Sequence, residues 1–205
     1  MNDLEIIDCE QGTPEWLAAR AGIITASVFN VVQMKGRGGG VSETRRKLMH
    51  QLAAETITGM PCPQWGGNEH TERGKVMEAE VRALYAASSE APVQQVGFLR
   101  RGRLGASPDS LVGDDGLLEI KTKLPHLQID VLLAGVLPAD HVAQVQGQLL
   151  VSGRKWCDFV SYWPGLPEFR IRVYPDLAYQ SQLAADIRTF NAELDALIAR
   201  IMGMA

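Results

Sequence analysis

Residues 103–123 constrain this chain more than any other stretch. Two strand-forming runs, 103–112 and 117–123, flank Gly113-Asp114-Asp115-Gly116, a turn composition that folds such runs into an antiparallel hairpin. Side chains at i and i+2 of a strand share a face. Glu119 and Lys121 therefore point the same way, and Ile120 between them points into an apolar layer behind. Ser107-Pro108-Asp109 lies on the partner strand, with Asp109 ten residues before Glu119. Closing the turn brings Asp109 close to Glu119. Two acidic groups and one lysine then converge at the surface of one sheet.

Taken singly, these residues have plain explanations. Glu-x-Lys on a strand is commonly a surface ion pair, and an Asp before a turn commonly serves the turn itself. Together they carry a chemistry. Carboxylate oxygens are hard ligands suited to Mg²⁺, which keeps several waters and also takes substrate phosphate. An ion held there polarises phosphoryl oxygens and lowers the pKa of a bound water. Two ions about 3.5–4 Å apart clamp the attacking and leaving oxygens. A lysine beside them orients the nucleophile or, with a depressed pKa, accepts its proton. The combination points to a metal-dependent DNA nuclease of the PD-(D/E)xK type, with Asp109, Glu119 and Lys121 at its centre.

The rest of the chain supplies a scaffold for such a hairpin. Thr13-Pro14-Glu15-Trp16 reads as an N-cap and first turn, so a helix is expected from there to about Arg20, stopping at Gly22. Thr25-Ala26-Ser27 opens a second helix, Val28 to about Met34, and residues 35–40 form a basic glycine-rich loop. Helices are expected over 42–58, 71–88, Pro138 to about Val151, and Leu177 to Ile201. Strands are expected over 93–100, 156–163 and 169–174, the last two turned at Pro164-Gly165. The fold class is α/β (α+β), a central mixed sheet flanked by helices, in one domain spanning 1–205. Its parts are a mainly helical 1–68, a catalytic core at 69–175 and a C-terminal helix at 176–205.

Composition excludes several classes. A net charge of −4 does not suit a protein that coats DNA, but it suits one that grips DNA locally through an acidic, ion-binding centre. Basic residues cluster at Arg45-Arg46-Lys47 and at Arg100, Arg101 and Arg103. Cys9, Cys62 and Cys157 make neither a metal-ligand spacing nor a disulfide framework, which suggests a reducing, cytoplasmic setting. Asp3, Glu5 and Asp8 interrupt any signal-peptide core. No apolar run approaches the roughly 20 residues of a membrane span.

Four further segments bear on identity: 16–27, reading Trp-Leu-Ala-Ala-Arg-Ala-Gly-Ile-Ile-Thr-Ala-Ser; Gly74-Lys75-Val76-Met77-Glu78; Ala106 to Asp109 with Leu118 to Lys121; and Ala143-Gln144-Val145-Gln146. In order and spacing, from about Gln11 to Tyr174, they resemble the lambda-type exonucleases, also called YqaJ-like viral recombinases, within the PD-(D/E)xK superfamily. The resemblance implies a restriction-endonuclease-like core. It implies a processive exonuclease that degrades the 5′-ended strand of duplex DNA with Mg²⁺ (Mn²⁺ substituting), one or two ions per site. It implies a homotrimeric ring around DNA and a 3′ single strand handed to an annealing protein in phage-type recombination, in the cytoplasm of a bacterial or phage-infected cell. Asp109, Glu119 and the Ile120 carbonyl would hold metal, Lys121 would orient or activate water, and Glu78 and Gln144 would complete the centre. Where the family helix often carries tyrosine three residues before this glutamine, the chain has His141, expected as a surface histidine. Residues 68–73 lack an apolar wedge for splitting base pairs.

The segment from Arg20 to Ser27 suits a 5′-phosphate on physical grounds as well. Arg20 offers a planar fork of donors, and Thr25 and Ser27 place hydroxyls where a helix begins, with its free N–H groups. Ser107 adds a further hydroxyl beside Asp109. Lys35 and Arg37 are candidate DNA contacts in the adjoining basic loop. Of the tryptophans, Trp65 is the candidate base-stacking residue, and Trp16, Trp156 and Trp163 are expected to pack internally. Two alternatives remain: an endonuclease on the same fold, and a non-catalytic module binding DNA ends or protein. An iron–sulphur nuclease would need four placed cysteines. No Gly-x-Ser-x-Gly or P-loop pattern supports another hydrolase.

Overall fold

The computed structural model describes residues 3–40, 42–62 and 69–204, those at 37, 69–72 and 75 in backbone only. In chain order the elements are β1 (Leu4–Ile7), α1 (Pro14–Arg20), β2 (Ile24–Thr25), a 3₁₀ turn (Ala26–Val28), α2 (Phe29–Val32), a second 3₁₀ turn (Arg37–Gly39), α3 (Glu43–Thr58) and α4 (Glu69–Ser88). There follow β3 (Val93–Gln94), β4 (Phe98–Arg101), β5 (Leu104–Ala106), β6 (Ser110–Val112), β7 (Gly116–Thr122), α5 (Pro125–Ala134), α6 (Ala139–Ser152), β8 (Trp156–Tyr162), β9 (Phe169–Val173) and α7 (Leu177–Met202).

The helix boundaries follow from capping. Thr13 Oγ1 accepts from Trp16 N at the start of α1, Ser42 Oγ from Arg45 N at α3, and Asp176 Oδ1 from Tyr179 N at α7. Each such cap satisfies an N–H that the helix leaves free, worth about 1 kcal/mol. α3 and α6 end on Gly59 and Gly153, both left-handed, the conformation glycine adopts without penalty.

Two sheets replace the single sheet expected. One has the order β1-β4-β5-β2, the other β3-β6-β7-β8-β9. The expected strand 93–100 is two strands, β3 and β4, in different sheets, and the expected strand 103–112 is likewise β5 and β6. The chain leaves one sheet for the other at residues 95–97 and returns at Ser107-Pro108-Asp109. Proline lacks the N–H needed to continue a ladder. The second helix also differs: Thr25 ends a two-residue strand parallel to β5, and α2 is a single turn after the first 3₁₀ turn. β1 and α5 were not anticipated.

β7 is the middle strand of its sheet, antiparallel to β6 and parallel to β8. Its two faces carry different loads. Leu118 and Ile120 pack with Val81 and Tyr85 of α4 and with Val160, which places Ile120 in the apolar layer read from the sequence. Leu117 packs on the opposite side with Val145 and Leu149 of α6 and Phe159, in a core that continues to Leu183, Ile187, Phe190 and Leu194 of α7. Burying aliphatic and aromatic side chains of this kind contributes about 1.5–3 kcal/mol each. Helix α6 approaches the first 3₁₀ turn and α2 closely, because a Cβ at Gly147 would stand 2.3 Å from Phe29 Cδ2. A larger residue there would push α6 away from Phe29 and Ala26.

Candidate active site

The hairpin joining β6 to β7 closes with Val112 opposite Gly116, leaving residues 113–115 as the loop, with Gly113 at φ 52°. Arg154 Nη1 clamps it from the start of β8, donating to Gly113 O at 2.7 Å and Gly116 O at 2.8 Å. Carrying this register one residue past Ser110 and Leu118 sets Asp109 opposite Glu119. Asp109 N donates to Leu118 O at 3.0 Å, and Asp109 Oδ2 accepts from Ile120 N at 2.5 Å. Among the described residues, the carboxylate is thereby fixed by backbone.

Glu119 is 2% exposed and Asp109 8%. Glu119 Oε1 takes the Lys121 ammonium at 2.5 Å and the Gln144 amide at 2.6 Å, while Oε2 takes the Gln148 amide at 2.6 Å. Glu78 reaches the cluster from α4 and is paired with Arg82 one turn on. Asp109, Glu119, Lys121, Glu78 and Gln144 thus meet as expected. Gln148 was missed, although it lies four residues beyond Gln144 on one helix face.

Charge in this cluster is not balanced. Burial pushes the Asp109 carboxyl well above the usual range, and Glu119 and Glu78 push it further; Lys121 and the Ile120 N–H oppose. Glu78 is raised first by burial, against Arg82, with Glu119 adding. Lys121 is raised too: burial alone would lower it, but Glu119, Asp109 and Glu78 outweigh burial. Lys121 is therefore held as an ammonium, a hydrogen-bond donor and not a proton acceptor.

Carboxylates crowded to this degree call for added positive charge. Among the described residues no three Asp, Glu, His or Cys side chains form a ready-made cage for an ion. A hard divalent ion such as Mg²⁺ would be held through one or two carboxylates, with waters and substrate phosphates completing the shell. Gln148 Oε1, buried beside Glu119 without a hydrogen-bond partner, adds an unused acceptor at the same place. The donor set of Asp109, Glu119 and the Ile120 carbonyl fits that ion. A cleft of about 320 Å³ lined by Gly74, Glu78, Lys121 and His141 opens next to it.

The second predicted cluster also assembles. Arg20 Nη1 donates to Ser107 Oγ at 3.2 Å and Nη2 to Thr25 Oγ1 at 3.3 Å, and Thr25 and Ser27 hydroxyls lie 3.1 Å apart. The guanidinium stacks on Trp16 at 3.9 Å, and Trp16 Nε1 also reaches Ser107 Oγ at 3.0 Å. Burial lowers Arg20 to a pKa of about 10, opposed by Glu55, so it stays charged. Arg20, Thr25 and Ser27 line a cavity of about 290 Å³. Glu55 closes its inner wall and was not foreseen; it accepts from Gly22 N at 2.9 Å and Cys62 N at 3.1 Å. Ser107-Pro108-Asp109 links this pocket to the acid cluster.

Other expectations fare unevenly. His141 is not a surface histidine: it is half-buried, its ring 5.2 Å from Phe159, its Nε2 3.0 Å from Lys123 Nζ. It lies on the α6 face that also carries Gln144, which turns it toward the sheet. Trp16 and Trp156 pack internally as expected, each under an arginine, and Trp163 lies under Arg73. Lys35 is exposed, and among the described residues no hydrogen bond or ion pair ties it to the Arg20 pocket. Trp65 and the side chain of Arg37 lie outside the described residues.

Known proteins extend this picture. A family model, the YqaJ-like viral recombinase domain, matches residues 15–155. An alkaline exonuclease (LHK-Exo) from Laribacter hongkongensis superposes with a TM-score of 0.83 at 34% identity, covering 94% of this chain and 97% of that one. The same enzyme in complex with dAMP superposes at 0.82 with 35% identity, covering 92% and 96%. A phage-related exonuclease from Haemophilus somnus 129PT, at 13% identity and a TM-score of 0.63 over 87% and 96% of the chains, shares the fold. No curated protein matches the chain. The family match spans most of the length and includes both residue clusters, and the chain belongs to the YqaJ-like viral recombinase family.

Proposed function

We propose that this protein is a Mg²⁺-dependent 5′-to-3′ exonuclease acting on double-stranded DNA ends. One observation carries the reading: three consecutive residues, Ser107-Pro108-Asp109, join an anion pocket to an acidic cluster. LHK-Exo is named an alkaline exonuclease and has been seen with dAMP, which supports DNA as the substrate. The proposed product is a 3′ single-stranded overhang passed to a single-strand annealing protein in phage-type recombination. The proposed assembly is a homotrimeric ring in the cytoplasm. Mn²⁺ would substitute for Mg²⁺.

In this reading Asp109, Glu119 and the Ile120 carbonyl hold the metal, whose chemistry is to polarise the phosphoryl oxygens and acidify a bound water. Gln144 and Gln148 fix the two Glu119 oxygens, an orientation that outer-shell partners commonly supply. Lys121, kept protonated by its acidic neighbours, orients the attacking oxygen and offsets charge growing on the phosphate. Glu78 supplies a further acceptor at the mouth of the site. Arg20, Thr25, Ser27 and Ser107 take the terminal 5′-phosphate and so decide which strand enters.

The test is a linear duplex with a 5′-phosphate on one strand only, incubated with Mg²⁺ or EDTA beside a closed circle. Mg²⁺-dependent loss of the phosphorylated strand with an intact circle is the expected result. Cutting of the circle would instead indicate an endonuclease, and no cleavage a binding module. Arg20→Ala should slow degradation about 100-fold from 5′-phosphate ends and far less from 5′-hydroxyl ends, as loss of a charge-assisted fork requires. Equal losses on both ends would remove Arg20 from the phosphate pocket.

A further inference from the structure

The face of α6 that reaches β7 does not stop at Glu119. Gln148 and Gln144 hold the two Glu119 oxygens, and His141, one turn toward the N-terminus, meets Lys123. On the other side the partners are Glu119 on β7 and Lys123 one residue past its end, with Lys121 between them. The pairing thus runs outward from the buried acid cluster to the open cleft, which both Lys123 and His141 line.

Lys121 and Lys123 differ in what neutralises them. Lys121 is paired to Glu119. Lys123 is half-buried, and among the described residues no ion pair involves it. Its partner is a neutral base: an ammonium carries three donors and can give only one to His141 Nε2, leaving two for the cleft. Burial and two neighbouring lysines, 121 and 123, lower His141 to a pKa of about 4, against Asp140, so the ring accepts from Lys123 across the neutral range. Burial also lowers Lys123, with Asp140 opposing and Lys121 adding. A cation that forms no ion pair among the described residues and lines a cleft beside the acid cluster can take an anion from outside the chain.

We propose that Lys123 binds a backbone phosphate of the DNA strand next to the one cleaved, and that His141 is the positioning residue that aims it. Lys123 lies two residues past Lys121 and one past the end of β7, a Cα reach of at most about 7 Å, comparable to the spacing of successive phosphates along a DNA strand. Lys121 at the reacting phosphate and Lys123 at its neighbour would then fix the register of the substrate. The inference rests on the exonuclease reading of this site, but its test does not depend on turnover.

Binding is measured first, by fluorescence anisotropy of a 5′-phosphorylated duplex in EDTA, over a series of salt concentrations. Lys123→Met should weaken binding about tenfold, as loss of a charged hydrogen bond does, and lower the salt slope by about 0.9, one phosphate contact. In steady-state degradation with Mg²⁺, the same change should raise KM about tenfold and leave kcat within about twofold. His141→Gln, whose amide oxygen still accepts from Lys123, should keep near wild-type affinity, and His141→Phe, which keeps the packing against Phe159 but cannot accept, should behave as Lys123→Met. Melting curves of each variant show that the fold is retained, and Lys123→Met carries the test alone should His141→Phe not fold. An unchanged salt slope in Lys123→Met, or equal affinities for His141→Gln and His141→Phe, would overturn the proposal. A wild-type protein that degrades no DNA would sink the exonuclease reading, with the anisotropy still deciding whether Lys123 meets phosphate.

Discussion

Glu119 on β7 and Asp158 on β8 are buried carboxylates, 2% and 4% exposed, on opposite faces of one sheet. Asp158 is fully partnered. Arg172 donates to its two oxygens at 2.7 and 2.8 Å, Tyr85 OH adds a bond at 2.7 Å, and the guanidinium lies 3.7 Å over Trp156. Its partners are locked in turn: the bond to Asp158 raises Arg172, and burial followed by that bond raises the Tyr85 phenol. Around Glu119 the arithmetic is different. Among the described residues Lys121 and Arg82 face three acids, and Asp109 has a backbone N–H as its hydrogen-bond partner. A closed ion pair at a sheet edge holds strands together, whereas an acidic cluster short of cations is a place for ions to arrive.

The sharpest way to break this comparison is Asp109→Asn. Asparagine keeps the acceptor for Ile120 N and removes the surplus charge. Nuclease activity should fall by about a thousandfold or more, while the metal-free protein becomes more stable. The sign follows from the raised carboxyl: native stability is complete below its unfolded pKa and is lost as pH rises through the folded value. In EDTA the melting advantage of the variant should be largest at alkaline pH and vanish in acid. A variant that melts lower at every pH would contradict the picture of an overcharged cluster.

The converse change, Arg172→Met, should cost about 2–3 kcal/mol by urea unfolding, short of the value for a fully buried pair because Arg172 is partly exposed. Its kcat per folded molecule should stay at wild type. A large fall in kcat would place Asp158 in the working site. Gln148→Leu probes the seam between the two behaviours. It strips the donor from Glu119 Oε2, and an outer-shell loss of this kind should lower kcat about 10- to 100-fold, with little change in KM.

The smallest effect belongs to His141. Its folded pKa of about 4 lies below its ordinary 6.5, so the unfolded chain binds more protons between these values and stability falls as pH falls through them. After discounting for partial exposure this is on the order of 1 kcal/mol. His141→Gln, which does not titrate, should flatten the urea-midpoint profile over that window. A profile as steep as wild type would assign the pH response to another group.

Much of the centre was legible because its chemistry is local. Glu119 and Lys121 declare a shared face by spacing, and Gly113 to Gly116 returns the chain to Asp109. Glu78 and Gln144 had no local signal and came only through family resemblance. Gln148 carried one, the four-residue step from Gln144, that went unread. His141 was misjudged because a histidine in a first helical turn is usually wet, and only the α6–β7 pairing turns it inward. The two-sheet division was hidden for a related reason. Residues 93–100 and 103–112 do carry breakers, Gly97 and Ser107-Pro108-Asp109, but a breaker inside an apolar run fits a bulge as well as a crossing, and which strand each half pairs with is a tertiary matter. β1 is short and charged, and α5 exposes Leu127, Ile129 and Leu133, which blurs the amphipathic pattern that marks a helix.

The crossing at Ser107-Pro108-Asp109 bears on how such a molecule would travel. Two steps of backbone separate Ser107, whose hydroxyl accepts from Arg20, from Asp109 in the acid cluster, a Cα–Cα reach of at most about 7 Å. Under the proposed function, an end held beside the first and a bond broken at the second would be kept apart by a short stretch of covalent backbone, so the length removed per cut would depend on this crossing and the speed on the rim of the cleft.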